Sequence, residues 1–461
     1  MRSVSSSATL SLAIVLAIAG CQRENQPTAA GDGAPQQPQS QTQPAVSDGD
    51  ISDAYLYLLA RLLVLRQEQL DFQKEGFKWN EIAHRDVGGV AWANPNLDDA
   101  YSEAWVAVDD KSCTVFSVPQ IKGRYYTVQF LNGWGETVAN INERNYPDHP
   151  SGAFWMCLKG ATVQVPADAV RIDLPGKTSR VLARVELGAD PKQAIALQHQ
   201  IKVKPSGTPQ IDPVPATPVF TNEAFPGAEA FDSAAIALDS EPDINPGMDV
   251  LQAKVRAVAE AVKVPAGRER VEKVIREQAL PGFKESFSTA GSNKNGWNRP
   301  ATIGKYGDDF KTRTLIDLAG IWANSTDEVV YFKTDSDGTG TKLDGGNTYT
   351  IHFAKDELPE GHVKYFWSVI AVDSKEFHVI PNPKNRFLIN KQSKLQYGKD
   401  GSLTLYFAPD KPKDAPDGNW LPTPKGQNYN LTFRTYGPDE AILTGAWYPA
   451  PLVKAAAGAT P

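Results

Sequence analysis

The sequence has no dense run of lysine and arginine, and 54 acidic residues outnumber 47 basic ones, giving a formal net charge of −7. Binding to nucleic acid requires a basic face, so this balance argues against a nucleic-acid partner. The sequence also lacks a G-x-S-x-G nucleophile elbow, the H-x-H and H-E-x-x-H metal motifs, and the glycine-rich loops that bind nucleotides. These absences predict no metal and no cofactor, and they assign no residue to catalysis.

Cysteine is scarce as well, with three in 461 residues. Cys21 belongs to the export segment described below, which leaves Cys113 and Cys157. In an oxidising compartment these two are candidates for a disulfide. Two buried free thiols are the alternative, because a sequence does not supply the Cα separation that a disulfide requires. Both alternatives stay open at this point.

The apolar run at positions 10–19 is too short to span a bilayer, but it has the length of the hydrophobic region of a signal peptide. The letters IAGC at positions 18–21 resemble a bacterial lipobox. We therefore predict a signal peptide over residues 1–20 and a mature chain that is anchored to a membrane by acyl chains on Cys21. Gln22 replaces the aspartate that marks inner-membrane retention, which predicts the outer membrane, with the body in the periplasm.

Beyond the cysteine, composition and periodicity predict a mainly β protein with a small α domain. Residues 22–50 are rich in Gln, Pro, Gly and Ser, the composition of a disordered tether. Short alternating segments predict an N-terminal antiparallel β-sandwich and, after a helical connector, a C-terminal jelly-roll-like β-sandwich. The predicted organisation is a signal peptide at 1–20, a tether at 21–50, a helix plus β-sandwich at 51–205, a linker and helical domain at 206–330, a jelly-roll-like domain at 331–453 and a tail at 454–461.

The same periodicities predict individual elements. The Leu-rich stretch at 51–75 predicts an amphipathic helix with Ser52 or Asp53 as its N-cap. Alternation predicts that Tyr126, Val128 and Phe130 share one face of a strand. In a second strand it predicts that Val181 and Val185 lie opposite Arg180, Arg184 and Glu186. Further strands are predicted at 105–108, 113–118, 154–158, 161–165, 170–174 and 180–186. Helices are predicted at 228–238, 250–262 and 267–280, the last of them ended by Pro281-Gly282.

Motifs along the chain resemble two bacterial families that occur together. The first group is similar to the domain-of-unknown-function family 1254 and consists of Asn94-Pro95-Asn96, Asp98, Tyr101-Ser102, Ala104-Trp105, Val118-Pro119 and Gly123-Arg124-Tyr125-Tyr126. The second group resembles its usual partner, family 1214, and consists of Tyr349, Phe366-Trp367-Ser368, Asn382-Pro383, Asp400-Gly401-Ser402-Leu403, Asn419-Trp420-Leu421-Pro422 and Trp447.

Between these groups, Asn295-Gly296-Trp297, Phe310 and Arg313 resemble the helical connection of the same proteins. The resemblance covers almost everything from about residue 54 to residue 452. It implies a β-sandwich, a small helical domain and a jelly-roll-like β domain. It implies no reaction.

Arginine and aromatic residues form the remaining candidate set for a ligand site, because together they hold anionic or sugar-like molecules. In the alternative interpretation, the aromatic residues anchor the sandwich cores and the arginines pair with carboxylates between domains. The candidates are Arg124, Tyr125, Trp134, Trp367, Asn382, Arg386, Asn419, Trp420, Arg434 and Tyr436.

The sequence therefore predicts an envelope lipoprotein that binds a small molecule, a glycan or a partner at a cleft between its two β domains. An envelope hydrolase, with a site built from residues distant in sequence, is the alternative. No pattern assigns an oligomeric state.

Overall fold

The computed structural model describes residues 46–89, 94–300 and 302–455, apart from the side chains of residues 287 and 288. The predictions for the signal peptide, for Cys21 and for the tether up to residue 45 concern residues outside the described part. The same holds for the predicted tail from residue 456 onward.

The first helix, α1, covers Asp48–Lys74. Its N-cap is Ser47, whose Oγ accepts a hydrogen bond from the amide of Asp50 (3.1 Å). The predicted N-caps, Ser52 and Asp53, therefore lie inside the helix, and the predicted tether extends too far. A serine cap followed by acidic residues in the first turn favours this earlier start, because both satisfy the positive end of the helix.

Two sheets follow and pack face to face, as predicted for the N-terminal region. Their strands are β1 (Ile82–His84), β2 (Asp99–Ala107), β3 (Thr114–Val118), β4 (Tyr126–Leu131), β5 (Thr137–Ile141), β6 (Gly152–Leu158), β7 (Val170–Leu174), β8 (Thr178–Glu186) and β9 (Lys202–Pro205), with helix α2 (Pro191–Gln198) before β9. The sheet orders are β1-β2-β8-β4-β5 and β7-β6-β3-β9. All pairs are antiparallel except β6 with β7. The core between the sheets includes Phe116, Val128, Phe154 and Val181.

The other face of the five-stranded sheet is polar and is also buried. On β8, Val181, Ala183 and Val185 face the sandwich core, whereas Arg180 and Arg184 point the opposite way and are 3% and 5% exposed. The predicted alternation is therefore correct, but the polar residues do not face solvent. Helix α1, the end of the helical region and the C-terminal sheet cover this face.

Cys113 and Cys157 form a disulfide in the structure, with their Cα atoms 4.4 Å apart. The nearby segment 161–165, predicted as a strand, has no regular secondary structure. Arg171 explains the difference, because its guanidinium donates hydrogen bonds to the carbonyls of Ala161 (2.8 Å) and Val163 (3.2 Å) and holds this segment as a loop.

The helical region consists of α3 (Ala234–Asp239), α4 (Met248–Ala261), α5 (Pro265–Val274), α6 (Leu280–Thr289) and α7 (Phe310–Gly320). These helices surround α1, in which every residue from 54 to 65 is buried, so α1 is a core helix and not an amphipathic one. The predicted stop at Pro281 is wrong. A π-helical turn, Ile275–Ala279, precedes this proline, and the wider turn accommodates a residue without an N–H group inside a continuous helical run.

The C-terminal region is a second pair of packed sheets. Its strands are β10 (Ser292–Lys294), β11 (Trp297–Arg299), β12 (Val329–Thr334), β13 (Tyr349–Phe353), β14 (Val363–Asp373), β15 (Leu388–Asn390), β16 (Leu403–Ala408), β17 (Trp420–Pro422), β18 (Tyr429–Pro438) and β19 (Val453–Lys454), with helix α8 (Glu440–Leu443). The orders are β10-β11-β12-β18-β14-β15 and β17-β16-β13-β19. Lys454, predicted to begin the tail, is instead paired with Tyr349.

The predicted fold class is confirmed: mostly antiparallel sheets at both ends and helices between them. The described residues from Val46 onward form one compact unit. No helix in the described ranges is both long and apolar enough to cross a membrane.

Candidate ligand-binding site

A cleft of about 250 Å³ lies where the two β regions and the end of α7 meet. We call it the junction cleft. The N-terminal region contributes Asn94, Pro95, Asn96, Tyr101, Leu182 and Arg184. The helical region contributes Pro300, Ile303, Ile316, Ala319, Gly320, Ile321, Trp322 and Ala323. The C-terminal sheet contributes Tyr331, Lys333, Thr432, Arg434 and Tyr436.

The register of the C-terminal sheet explains why polar residues face this cleft. Tyr331 pairs with Arg434 and Lys333 pairs with Thr432 across β12 and β18, so these four side chains lie on one face. The residues between them, such as Phe433, point into the core of the C-terminal sandwich. One face of this sheet therefore builds the sandwich and the other builds the cleft.

Arg184 extends from the N-terminal sheet into the cleft and makes three hydrogen bonds, all to neutral groups. It donates to the side-chain oxygen of Gln129 (2.6 Å), to the hydroxyl of Tyr101 (3.1 Å) and to the carbonyl of Trp322 (3.3 Å). These bonds fix the guanidinium but do not neutralise its charge.

Arg434 is held in the same way from the opposite wall. Its two terminal nitrogens donate to the carbonyl oxygens of Asn94 (2.7 Å) and Pro95 (3.0 Å). Among the described residues, neither Arg434 nor Arg184 nor Lys333 forms an ion pair with a carboxylate, and the described lining contains no Asp or Glu. The cations of the junction cleft are therefore not neutralised by direct contact with a described carboxylate.

Asn96 connects the two β regions beside the cleft. Its amide nitrogen lies 2.9 Å from the hydroxyl of Tyr101, 3.0 Å from the hydroxyl of Tyr436 and 2.7 Å from a carboxyl oxygen of Asp99. Burial and the neighbouring Asp98 raise the pKa of Asp99 to about 8. Asp99 is therefore protonated at neutral pH and does not cancel the positive charge of the cleft.

Trp322 has a strained backbone at the edge of the cleft. It has a φ of +68°, in the left-handed region, directly after the end of α7. Glycine is the usual residue there, and a bulky side chain costs about 1–2 kcal/mol. Strain of this kind is common at functional sites. With this backbone conformation, the carbonyl of Trp322 accepts a hydrogen bond from Arg184. The indole of Trp322 packs on that of Trp105, with ring centroids 5.8 Å apart.

Of the residues proposed from the sequence, Arg434 and Tyr436 line the cleft. Tyr125 lies directly behind it: its ring is 5.0 Å from that of Tyr436, and its hydroxyl donates to Glu328 (3.1 Å). These three residues are brought together by the packing of β18 against the N-terminal sheet.

The other proposed residues have structural partners elsewhere. Arg124 donates to the carbonyl of Glu186 (2.6 Å). The ring of Trp134 faces the guanidinium of Arg313, at 4.6 Å, in the helical core. Trp367 stacks on Phe433 at 5.2 Å inside the C-terminal sandwich. Trp134 and Trp367 are therefore core residues, as in the alternative interpretation, whereas Arg124 hydrogen-bonds to backbone carbonyls and not to a carboxylate.

The remaining candidates lie together in the C-terminal region, away from the junction cleft. Arg386 pairs with Asp417 (2.7 Å) and donates to the carbonyl of Trp420 (3.1 Å). Asn382 and Asn419 hydrogen-bond to backbone groups of neighbouring loops. Asn382 and Trp420 also line a separate open groove of about 740 Å³.

Sequence reasoning missed Tyr101, Arg184, Trp322, Tyr331 and Lys333. A weak signal existed for two of them: Arg184 lies on the polar face of a predicted strand, and Tyr101 lies in the motif that follows Asn94-Pro95-Asn96. Nothing in the sequence around Trp322 or Lys333 indicates a site, because their proximity depends on how the three regions pack.

No group of three or more His, Cys, Asp and Glu side chains suited to a metal ion occurs within the described ranges. What the cleft can do chemically follows from its cations and phenols: it can bind an anion through charge-assisted hydrogen bonds and enclose an apolar portion of the same molecule.

Two family models match the chain. Residues 79–205 match "Protein of unknown function (DUF1254)" and residues 328–440 match "Protein of unknown function (DUF1214)". No curated protein matches the sequence. The junction cleft uses both matched regions, because Arg184 lies in the first and Lys333 and Arg434 lie in the second.

Two solved structures are similar to this chain. The VPA0106 protein from Vibrio parahaemolyticus is 19% identical, with a TM-score of 0.63 over 89% of this chain and 100% of that chain. A putative uncharacterized protein from Burkholderia cenocepacia is 14% identical, with a TM-score of 0.43 over 88% of this chain and 95% of that chain. The first likeness shows a shared fold.

Proposed function

The chain belongs to the two-domain family that combines an N-terminal DUF1254 domain with a C-terminal DUF1214 domain, and from its junction cleft we propose that it is an envelope lipoprotein that binds a small organic anion. The observation that carries this proposal is the pair of arginines, Arg184 and Arg434, which neutral groups hold in a cleft without a carboxylate in its described lining. Positive charges held in place by neutral groups form a site ready for an anion.

The apolar part of the lining indicates the rest of the ligand. It consists mainly of Leu182, Ile303, Ile316 and Ile321. A volume of about 250 Å³ corresponds to about eight water molecules at ~30 Å³ each. A short-chain carboxylate fits these requirements, because its head meets the arginines and its chain meets the isoleucines.

The anchoring part of the proposal rests on Cys21 and its lipobox. The disulfide between Cys113 and Cys157 supports it independently, because such bonds persist in oxidising compartments and are rare in the cytosol. We propose that acyl chains on Cys21 hold the protein at the outer membrane, with the cleft in the periplasm.

Anchoring is tested in the host bacterium with a Cys21→Ala variant. The wild-type protein is expected to incorporate labelled palmitate and to sediment with the outer membrane, and the variant is expected to do neither. Wild-type protein that is unlabelled and remains in the soluble fraction would contradict the anchoring.

Ligand binding is tested by calorimetry with butyrate, sulfate and n-butylammonium as probes. Butyrate should bind most tightly, sulfate more weakly because it has no apolar part, and n-butylammonium not at all. Arg434→Gln should weaken butyrate binding about ten- to a hundredfold, the equivalent of one lost charged hydrogen bond. The matched control is Arg386→Gln, which removes an arginine outside the cleft and should leave the affinity unchanged.

Equal binding of butyrate and n-butylammonium would overturn the proposal, and so would an equal effect of the two arginine variants. We favour binding over the alternative prediction of an envelope hydrolase, because the described lining contains no Ser, Cys, His, Asp or Glu, the residue types on which most hydrolases rely.

A further inference from the structure

Lys333 differs from the two arginines of the junction cleft in having no fixed partner. Its side chain lies on the cleft face of β12, opposite Thr432, and is half-buried. Among the residues that the structure describes, none forms a hydrogen bond or an ion pair with its amine. Lysine amines that leave bulk water normally acquire a partner, because an unpaired charge is costly to bury.

The neighbourhood favours the neutral form of this amine. Burial lowers the pKa of Lys333, and the nearby positive charge of Arg434 lowers it further. Arg434 is a diagonal neighbour across the β12–β18 pair, a position about 7–8 Å away in antiparallel sheets. A desolvated lysine beside another cation is the arrangement that activates an amine as a nucleophile.

Of the side chains in the described lining, only Lys333 carries an amine; the others end in amide, phenol, hydroxyl, guanidinium, indole or hydrocarbon groups. Guanidinium groups hold carboxylates through paired hydrogen bonds and stay charged. The two arginines and the lysine are therefore suited to different parts of one ligand.

We propose that the junction cleft binds a small oxo acid covalently and reversibly, with its carboxylate on Arg184 and Arg434 and its carbonyl carbon joined to Nζ of Lys333 as an imine. This inference rests on the proposed anion-binding function and names the ligand class. The apolar wall of Ile303, Ile316 and Ile321 would take the short carbon chain.

The reaction balances without an oxidant or a reductant. The lone pair of the neutral amine attacks the carbonyl carbon, a C–N bond forms, and the electron pair of the C=O π bond moves to oxygen. The oxygen takes up both protons from nitrogen, through solvent, and leaves as water. The products are an imine and one water molecule, and hydrolysis reverses the reaction.

The test uses the full-length protein, 2-oxobutyrate as the probe and borohydride as the trapping reagent. Borohydride donates hydride to an imine and converts it into a stable secondary amine, which peptide mass spectrometry assigns to one lysine. Lys333 is expected to be the most heavily modified lysine in the chain. Butyrate, which has the carboxylate but no carbonyl, should protect Lys333 by competition.

Three comparisons make the result specific. Lys333→Arg removes the amine but leaves Arg184 and Arg434 in place, so this variant should still bind butyrate while losing the adduct. Arg434→Gln keeps the amine but should lower adduct formation about tenfold or more through weaker binding. Exposed lysines such as Lys263 serve as internal controls for non-specific reductive alkylation.

The outcomes separate this inference from the proposed function. Modification of Lys333 at the level of exposed lysines, with butyrate still bound, would overturn the imine and leave anion binding intact. Failure of both butyrate and 2-oxobutyrate to bind would overturn both. Butyrate binding by Lys333→Arg shows that loss of its adduct is not a loss of folding.

Discussion

Arg180 and Arg184 lie four residues apart on the same strand and the same buried face, yet their surroundings differ. Arg180 forms an ion pair with Glu103 and lies 3.4 Å from a carboxyl oxygen of Asp71. Its guanidinium also faces the ring of Phe77 at 4.7 Å. Arg184 meets only an amide, a phenol and a carbonyl.

This difference separates a structural arginine from a candidate binding arginine. Burial would raise the pKa of Glu103, but Arg180 and Arg85 outweigh burial and lower it, so this carboxylate stays charged and neutralises its partners. Asp99 is a buried carboxyl group that interacts electrostatically with Arg184, and its pKa is shifted in the opposite direction. The presence of a charged counterpart, and not the residue type or its burial, distinguishes the two positions.

The largest expected effect on stability comes from breaking the Arg180 cluster. Arg180→Met leaves Asp71 buried without its cation and Glu103 with Arg85 alone, which should lower the free energy of unfolding by about 3–5 kcal/mol. Arg184→Met, the matched variant, should lose about 1–3 kcal/mol, because only hydrogen bonds to neutral groups disappear. Urea denaturation of both variants checks this order, and a reversed order would contradict the comparison.

Removing the disulfide separates stability from binding. The double variant Cys113→Ala, Cys157→Ala opens a loop closed over 44 residues and should lower the free energy of unfolding by about 2–4 kcal/mol. Butyrate affinity, measured well below the new melting temperature, should be unchanged because the bond lies outside the junction cleft. If butyrate affinity fell as well, destabilisation alone would be enough to abolish binding, and the comparison of the binding variants would lose its meaning.

The binding comparison is smaller in energy and more specific. Arg184→Gln should weaken butyrate binding about ten- to a hundredfold, because a charged donor becomes a neutral one. In Arg180→Gln, provided that the protein is studied at a temperature where it stays folded, the affinity should change little. Calorimetry on both variants measures the difference, and equal losses would remove the distinction between the two arginines.

The smallest expected effect is a change of butyrate affinity with pH. Because the folded-state pKa of Asp99 is raised to about 8, the carboxyl is neutral below that pH and negative above it. Butyrate affinity should therefore fall severalfold between pH 7 and pH 9 as negative charge appears beside Arg184. Asp99→Asn should remove the part due to Asp99, and an unchanged profile in this variant would contradict the assignment.

The raised pKa of Asp99 also determines how the stability of the protein changes with pH. The folded state retains a proton on Asp99 that the unfolded chain releases above its ordinary pKa of 3.8. The contribution of Asp99 to the free energy of unfolding should thus decrease as pH rises from about 4 to about 8. Denaturation of Asp99→Asn at both ends of this range isolates the contribution.

The sequence alone predicted the fold class and several of the strands, because a period of two and the apolar face of each strand are local properties. The faces of β4 and β8 were correct for that reason. The helix α1 was predicted, but its start at Asp48 was not, because it depends on the cap by Ser47. The loop at 161–165 was not predicted, because it depends on the hydrogen bonds of Arg171. The sequence named Arg434 and Tyr436 only within a larger set of arginine and aromatic candidates, and the structure places other members of that set in cores.

Sequence by itself determined which residues alternate on each strand, which families the motifs resemble and which two cysteines remained to pair. Only the tertiary structure decided that the polar faces of two sheets are buried against each other, and that Arg184, Lys333 and Arg434 meet there without a carboxylate. The physical reason is distance: alternation acts between neighbours in the chain, whereas charge compensation depends on groups that are hundreds of residues apart and become neighbours only when the domains pack.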